Sequence, residues 1–283
     1  MLIDMHIHPI FYDIICENEK ELGFRKDTFG VWKQGPMRFD ELFAEMEAGS
    51  VDKAALLPLD LTTTAGGWVV NNDQIAKIVS VHPERFIGFA SVDPHREDAL
   101  EVLDYAFGTL KLEGLKLHPA KQKFYPTDAF MEPIYQKCIE YNKPILFHAG
   151  LSWEPNTPTK YCHPVAFEEV AINHPDLRIC LAHFAWPWVR EMVMLMIKYP
   201  NIYTDTSVLY LDSPEESIAR VFTVDMGPLW FERSFYKQVL FASNGPRFRA
   251  FKIKRALDKI PMRDYAREAL YSGNAIRFLK GEA

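Results

Sequence analysis

Cysteine is scarce in this chain: four in 283 residues, Cys16, Cys138, Cys162 and Cys180, with no Cys-x-x-Cys spacing. That argues against a disulfide framework and suits reduced thiols in a cytoplasmic enzyme. A basic surplus is also missing. Lys and Arg number 32 against 38 Asp and Glu, for a net charge of −6. No Lys/Arg-rich block of the kind that tracks a phosphate backbone occurs. Lys252, Lys254 and Arg255 come nearest, and their spacing is that of a helix's solvated face. No nucleic-acid partner is expected. No apolar run approaches the ~18 residues of a membrane span. The N-terminus enters a strand pattern directly, without the charged region of a signal peptide. No membrane partner is expected either. Low-complexity linkers are absent, and no Gly-x-Gly-x-x-Gly follows the first strand, which disfavours a dinucleotide-binding sheet.

The chain does have a core-forming composition, 48% hydrophobic, and a recurring order of strand, polar turn and amphipathic helix. Strand patterns lie near 2–8, 52–58, 85–92, 112–118, 143–148, 177–183, 201–206 and 239–243. Helical patterns lie at 39–48, 71–81, 96–107, 128–141, 164–173 and 187–199, after Ser213, and at 248–260. Strands alternating with helices argue for parallel βαβ units. Eight units in about 280 residues predict an α/β fold, a single-domain (β/α)8 TIM barrel over residues 1–283. A doubly wound open sheet is the second choice. Two stretches, 9–37 and 208–236, read as long loops, and loops of that length are commonly lids or oligomer contacts. The second carries Trp230, Phe231 and Phe235, so a homodimer is an expectation.

Histidines punctuate the strand ends. In Asp4-Met5-His6-Ile7-His8, alternation places Asp4, His6 and His8 on one face. His118, His148 and His183 close the fourth, fifth and sixth strand patterns. A barrel gathers the C-terminal ends of its strands at one mouth, so these five histidines should converge. Neutral imidazoles on one face chelate a divalent metal. Core packing alone does not account for the same placement at four strand ends.

With these residues in place, the chain resembles the amidohydrolase superfamily, in the amidohydrolase-related branch that includes metal hydrolases and aromatic-acid decarboxylases. The resemblance runs from His6-Ile7-His8 through His-Pro-Glu-Arg-Phe-Ile-Gly-Phe-Ala-Ser-Val-Asp-Pro at 82–94 to Gly273-Asn274-Ala275. It implies one divalent metal, zinc first and manganese or iron next, held by His6, His8 and His148 with a contribution at position 244. It also implies that His183 sits beside the metal, orienting substrate or moving a proton. The departure is at the eighth strand, Phe241-Ala242-Ser243-Asn244-Gly245-Pro246, where family members carry aspartate. A neutral amide is a weak ligand and no proton acceptor. Three explanations fit Asn244: an introduced substitution, a native residue in a member that needs no base there, or a catalytically inactive relative.

Other residues carry weaker expectations. Lys116 and His118 share a strand face and would meet substrate. Lys116 could instead be carboxylated to bridge two metals, or pair with Asp4. Asp205 and Ser207 could contact substrate or a metal-bound histidine's second nitrogen, or Asp205 could merely cap the next segment. Trp153 and Trp186 could wall a pocket. Arg247 could grip a substrate carboxylate in a bidentate fork, as could Arg249. His82, His95, His163 and His174 read as surface residues. The functional expectation is hydrolysis of a small ester, lactone or amide by metal-activated water. The alternative is non-oxidative decarboxylation of a hydroxylated aromatic or related acid. A metal- or ligand-binding protein without catalysis is the third reading.

Overall fold

The structure is a computed structural model that describes every residue except Trp153, 208–212, Pro228, Glu282 and Ala283. Eight parallel strands carry the architecture: β1 (Ile3–Ile7), β2 (Lys53–Leu56), β3 (Phe86–Gly88), β4 (Leu115–Leu117), β5 (Ile145–Phe147), β6 (Ile179–Leu181), β7 (Ile202–Asp205) and β8 (Val239–Leu240). They pair in sequence order as two arcs, β1 to β3 and β4 to β8. Backbone hydrogen bonds join the arcs on both sides. Ala90 N donates to Gly114 O and Lys116 N to Ala90 O, each at 2.7 Å, and His8 N donates to Gly245 O at 2.8 Å. The ring is therefore closed, and the fold is a TIM barrel.

The strands read as continuous apolar runs because both faces are covered. Ile3, Met5, Ala55, Leu57, Leu146, Cys180, Tyr203 and Leu240 fill the barrel interior. Their neighbours Ala54, Leu56, Ile145, Phe147, Ile179, Leu181 and Ile202 face the helical layer. Helix Asn274–Lys280 seals the barrel's N-terminal end. Phe278 lies 5.1 Å from the Tyr203 ring, and Arg178 Nε donates to Phe278 O at 2.6 Å. Among the described residues no helix is long and apolar enough to cross a membrane.

Two stretches depart from expectation. Residues 9–37 are not an open loop, because they contain helix Glu19–Phe29. Asn18 starts it by accepting from the backbone N–H of Lys20 and Glu21, and Gly30 stops it in the left-handed conformation. Its polar sequence presents no clean apolar stripe, which hides it from periodicity. The described part of 208–236 is likewise mostly helical, as Pro214–Arg220, Val221–Asp225 and Phe231–Phe235.

The third departure concerns β1. Asp4 pairs with Ala54 but Ile7 with Leu56, so β1 carries one extra residue, a β-bulge. Asp4 and Ile7 consequently both face the helical layer, beside Ala54 and Met46. His6 and His8 turn to the barrel mouth. Asp4 therefore does not share the histidines' face and does not pair with Lys116. Its Oδ1 instead accepts from His6 N (3.1 Å) and Ser243 N (3.0 Å), holding the bulge to the start of the β8 loop.

Candidate metal centre

His6 and His8 aim their Nε2 atoms at each other, 3.2 Å apart. Their other nitrogens are committed. His8 Nδ1 donates to Leu57 O at 3.1 Å, and His6 Nδ1 meets Asp205 Oδ2 at 2.9 Å. A carbonyl and a carboxylate only accept, so both Nδ1 atoms carry the proton and both Nε2 atoms present lone pairs. Two facing lone pairs at this distance repel unless a cation lies between them. Two nitrogens each ~2.1 Å from one ion stand roughly 3.0–3.4 Å apart, which matches. Burial holds His6, His8, His118, His148 and His183 well below the usual histidine pKa. They are therefore in the neutral, ligating form.

The remaining rings form a chain across the mouth. His6 and His183 centroids are 4.9 Å apart, His183 and His148 are 5.0 Å apart, and His148 stacks on His118 at 3.9 Å. His148 Nε2 is buried with no hydrogen-bond partner. A buried imidazole nitrogen without a partner, in the same chain of rings as two facing lone pairs, suits a divalent ion. Such an ion would be held by His6, His8 and His148. His6, His183 and Asp205 also bring donor atoms within 4.8 Å of one another. The contact there is the His6–Asp205 hydrogen bond, which leaves Nε2 as the open position. His118, His148 and Cys162 form a similar group. Burial raises the Cys162 thiol to about 12.

Asp205 ties the site together. Fully buried, it accepts from His6 Nδ1, from His183 N at 2.8 Å, and from both the backbone N–H and the hydroxyl of Ser207. His183 Nδ1 in turn meets Ser207 O at 3.2 Å and Ser207 Oγ at 2.5 Å. His183, Phe184 and Ala185 all have positive φ (64°, 49° and 48°), a left-handed turn at the end of β6 that throws the imidazole over the mouth. Gly150, at φ 86°, lies against this turn. A Cβ there would come 2.3 Å from Trp186 O.

Asn244 also has positive φ, 66°, a conformation that asparagine tolerates. It lines the cleft with His8, Lys116, His118, His148, His183 and Arg247. Lys116 is 1% exposed and its Nζ has no hydrogen-bond partner. Burial lowers its pKa to about 8, with Asp205 opposing. Of the expected substrate contacts, Lys116, His118 and Arg247 therefore face the cleft. Asp205 does not, since it stands behind His6. Trp186 does not line the cleft, and Trp153 lies outside the described residues. His174, expected at the surface, is buried, with Nε2 3.0 Å from Glu132.

The mouth holds three groups that motif reading passed over: Lys121 in the short helix Pro119–Gln122, and Ser152 and Glu154 in the loop after β5. Lys121 Nζ donates to Glu154 Oε1 at 2.9 Å, Arg247 Nη2 approaches the same oxygen at 3.6 Å, and Ser152 Oγ donates to Oε2 at 2.8 Å. Burial would raise the Glu154 pKa, but Lys121 and Ser152 outweigh it and hold the carboxyl below its ordinary range.

A closed eight-stranded barrel with convergent imidazoles at its C-terminal mouth defines a TIM-barrel protein with a candidate metal site. The chain belongs to the amidohydrolase family, whose sequence model matches residues 3–281. A hydratase of 2-keto-4-carboxy-3-hexenedioate from Sphingobium is 24% identical over 73% of this chain and 69% of its own length. A 2-amino-3-carboxymuconate-6-semialdehyde decarboxylase from Dictyostelium discoideum is 26% identical over 40% of this chain. That match spans only 36% of the decarboxylase. Among solved structures, an uncharacterised TIM-barrel protein from Bordetella bronchiseptica superposes with TM-score 0.76 at 20% identity, covering 99% of both chains. A 5-carboxyvanillate decarboxylase from Novosphingobium aromaticivorans, with bound manganese, gives 0.64 at 18%, covering 99% of this chain and 97% of its own.

Proposed function

We propose that this protein is a metal-dependent lyase that removes a carboxyl group from a small carboxylic acid. The observation that carries it is the composition of the cleft. Neutral imidazoles surround an ion-sized point, cations line the way in, and asparagine stands where hydrolysis would want a proton-accepting carboxylate. The similar decarboxylase and hydratase, both acting on carboxylic acids, support that substrate class. A bound divalent ion, zinc or manganese, would supply Lewis acidity at that point. His183 donates its Nδ1–H to Ser207 O, so its other nitrogen presents a lone pair to the cleft and orients substrate, while Lys116 in the same cleft holds a proton to give. The bond between carbon and carboxyl breaks, its electron pair stays on carbon, Lys116 delivers the proton, and carbon dioxide leaves.

Hydrolysis of an ester, lactone or amide is the second reading, favoured by the imidazole ligand set alone. The deciding experiment loads the protein with Zn²⁺ or Mn²⁺. It is then offered aromatic and unsaturated di- and tricarboxylic acids beside lactones and esters, with carbon dioxide release followed. Release from an acid is expected. Lactone or ester opening with no carbon dioxide from any acid would overturn the reading. Metal binding with no turnover at all would leave a binding protein. The homodimer is also a proposal. It rests on exposed Val224, Leu229 and Trp230 beside Ile197, and sedimentation tests it.

A further inference from the structure

The cleft as it stands has about 30 Å³ of free space, room for roughly one water. Any organic substrate must displace something. The Glu154 carboxylate is the displaceable part, because it comes from the loop after β5, whereas the cations that hold it have other anchors. Lys121 Nζ also donates to Thr28 O at 3.1 Å, and Arg247 Nη2 to Phe29 O at 2.7 Å. Both carbonyls belong to the end of helix Glu19–Phe29, which accounts for that helix's position over the mouth. Lys121 and Arg247 therefore stay in place when Glu154 leaves.

We propose that Lys121 and Arg247 form a receptor for a second carboxylate of the substrate, and that Glu154 occupies this receptor as an internal substitute until substrate arrives. The assignment rests on the carboxylic-acid reading above and narrows it to acids with at least two carboxylates. The physical reason is desolvation. Lys121 is only 10% exposed, and uncovering a buried cation without a replacement anion is costly. A substrate with a carboxylate at that position restores the pair as it enters, whereas a monoacid does not. The internal carboxylate also sets a threshold. Ligand affinity is scaled down to the fraction of time the receptor is open.

The test is calorimetric, on protein loaded with Mn²⁺, using benzoate as the monoacid and benzene-1,3- and benzene-1,4-dicarboxylate as the diacids. Glu154→Gln keeps the shape and removes the charge. It should tighten at least one diacid about tenfold, as expected when a closed state populated about ten to one is abolished. Benzoate has to open the same contact, so it should tighten as well. Lys121→Met separates the two classes of acid: it should weaken the same diacid about tenfold and leave benzoate no weaker. No tightening of any acid in Glu154→Gln, or equal weakening of benzoate and diacid in Lys121→Met, would overturn the receptor. Benzoate bound with no diacid tighter in any variant would overturn it while sparing the carboxylic-acid reading. Failure of every acid to bind any of the three proteins would overturn both.

Discussion

Asp205 accepts from four donors on three residues, His6 in β1, His183 in the turn after β6 and Ser207 in the loop after β7, so its charge fixes the proton on His6 Nδ1 and leaves Nε2 free to ligate. Asp205→Asn would keep the volume and lose that preference. Second-sphere partners of this kind are worth ~10- to 100-fold in metal affinity. A loss in that range, measured by metal titration, is expected, with the barrel's circular dichroism unchanged. Asn244 makes a different point. Its left-handed backbone accepts asparagine or aspartate alike, so Asn244→Asp should fold normally. The new carboxylate should raise any hydrolysis of lactones or esters by at least about 10²-fold, the lower end for gaining a general base. Carbon dioxide release should move far less. Equal hydrolytic rates in the two forms would show that position 244 is not where water gives up its proton.

At the scale of the element, β1 shows what a strand pattern conveys and what it withholds. The histidines at strand ends are legible, since apolar runs terminated by His118, His148 and His183 can be read directly. The bulge is not, because it depends on how β1 meets β2 and the β8 loop, and one extra residue sends Asp4 to the opposite face. The left-handed turn at His183, the four-residue helix bearing Lys121 and the loop bearing Glu154 are equally silent, being too short or too irregular to show a period. The bulge also has a measurable signature. Burial raises the Asp4 pKa from 3.8 to about 7. Between those values the folded protein keeps a proton that the unfolded chain releases. Stability from Asp4 is therefore fully present below about pH 4 and is lost as pH rises through 7. Asp4→Asn, which retains an oxygen to hold His6 N and Ser243 N, should remove this slope. Urea unfolding of the metal-free protein at pH 5 and pH 8 checks it. An unchanged difference between the two pH values would refute it.

For the molecule as a whole, eight strand–helix repeats sufficed to give the barrel, because both-face burial leaves each strand a conspicuous apolar run. The helix over the mouth escaped for the complementary reason. Glu19–Phe29 buries only Arg25 and Phe29, so its sequence looks like a solvated loop. An ion held by the converging histidines would be a structural partner as well as a chemical one. A ligand at 100 times its dissociation constant stabilises the state it binds by about 2.7 kcal/mol. Zn²⁺ or Mn²⁺ at that excess should raise the melting temperature, and a chelator should reverse the rise. A melting curve indifferent to both would exclude the ion from the folded state.

The depth of the two layers implies an order of events. The facing nitrogens of His6 and His8 lie beneath the mouth, and the Glu154 loop and the end of helix Glu19–Phe29 close over it. Whatever enters last covers what entered first. On the proposed reading, the ion would load before an organic acid arrives, and a bound acid would then be a stopper over it. Exchange of the ion with solution should consequently slow when the cleft is filled, so that metal retention and substrate supply rise and fall together.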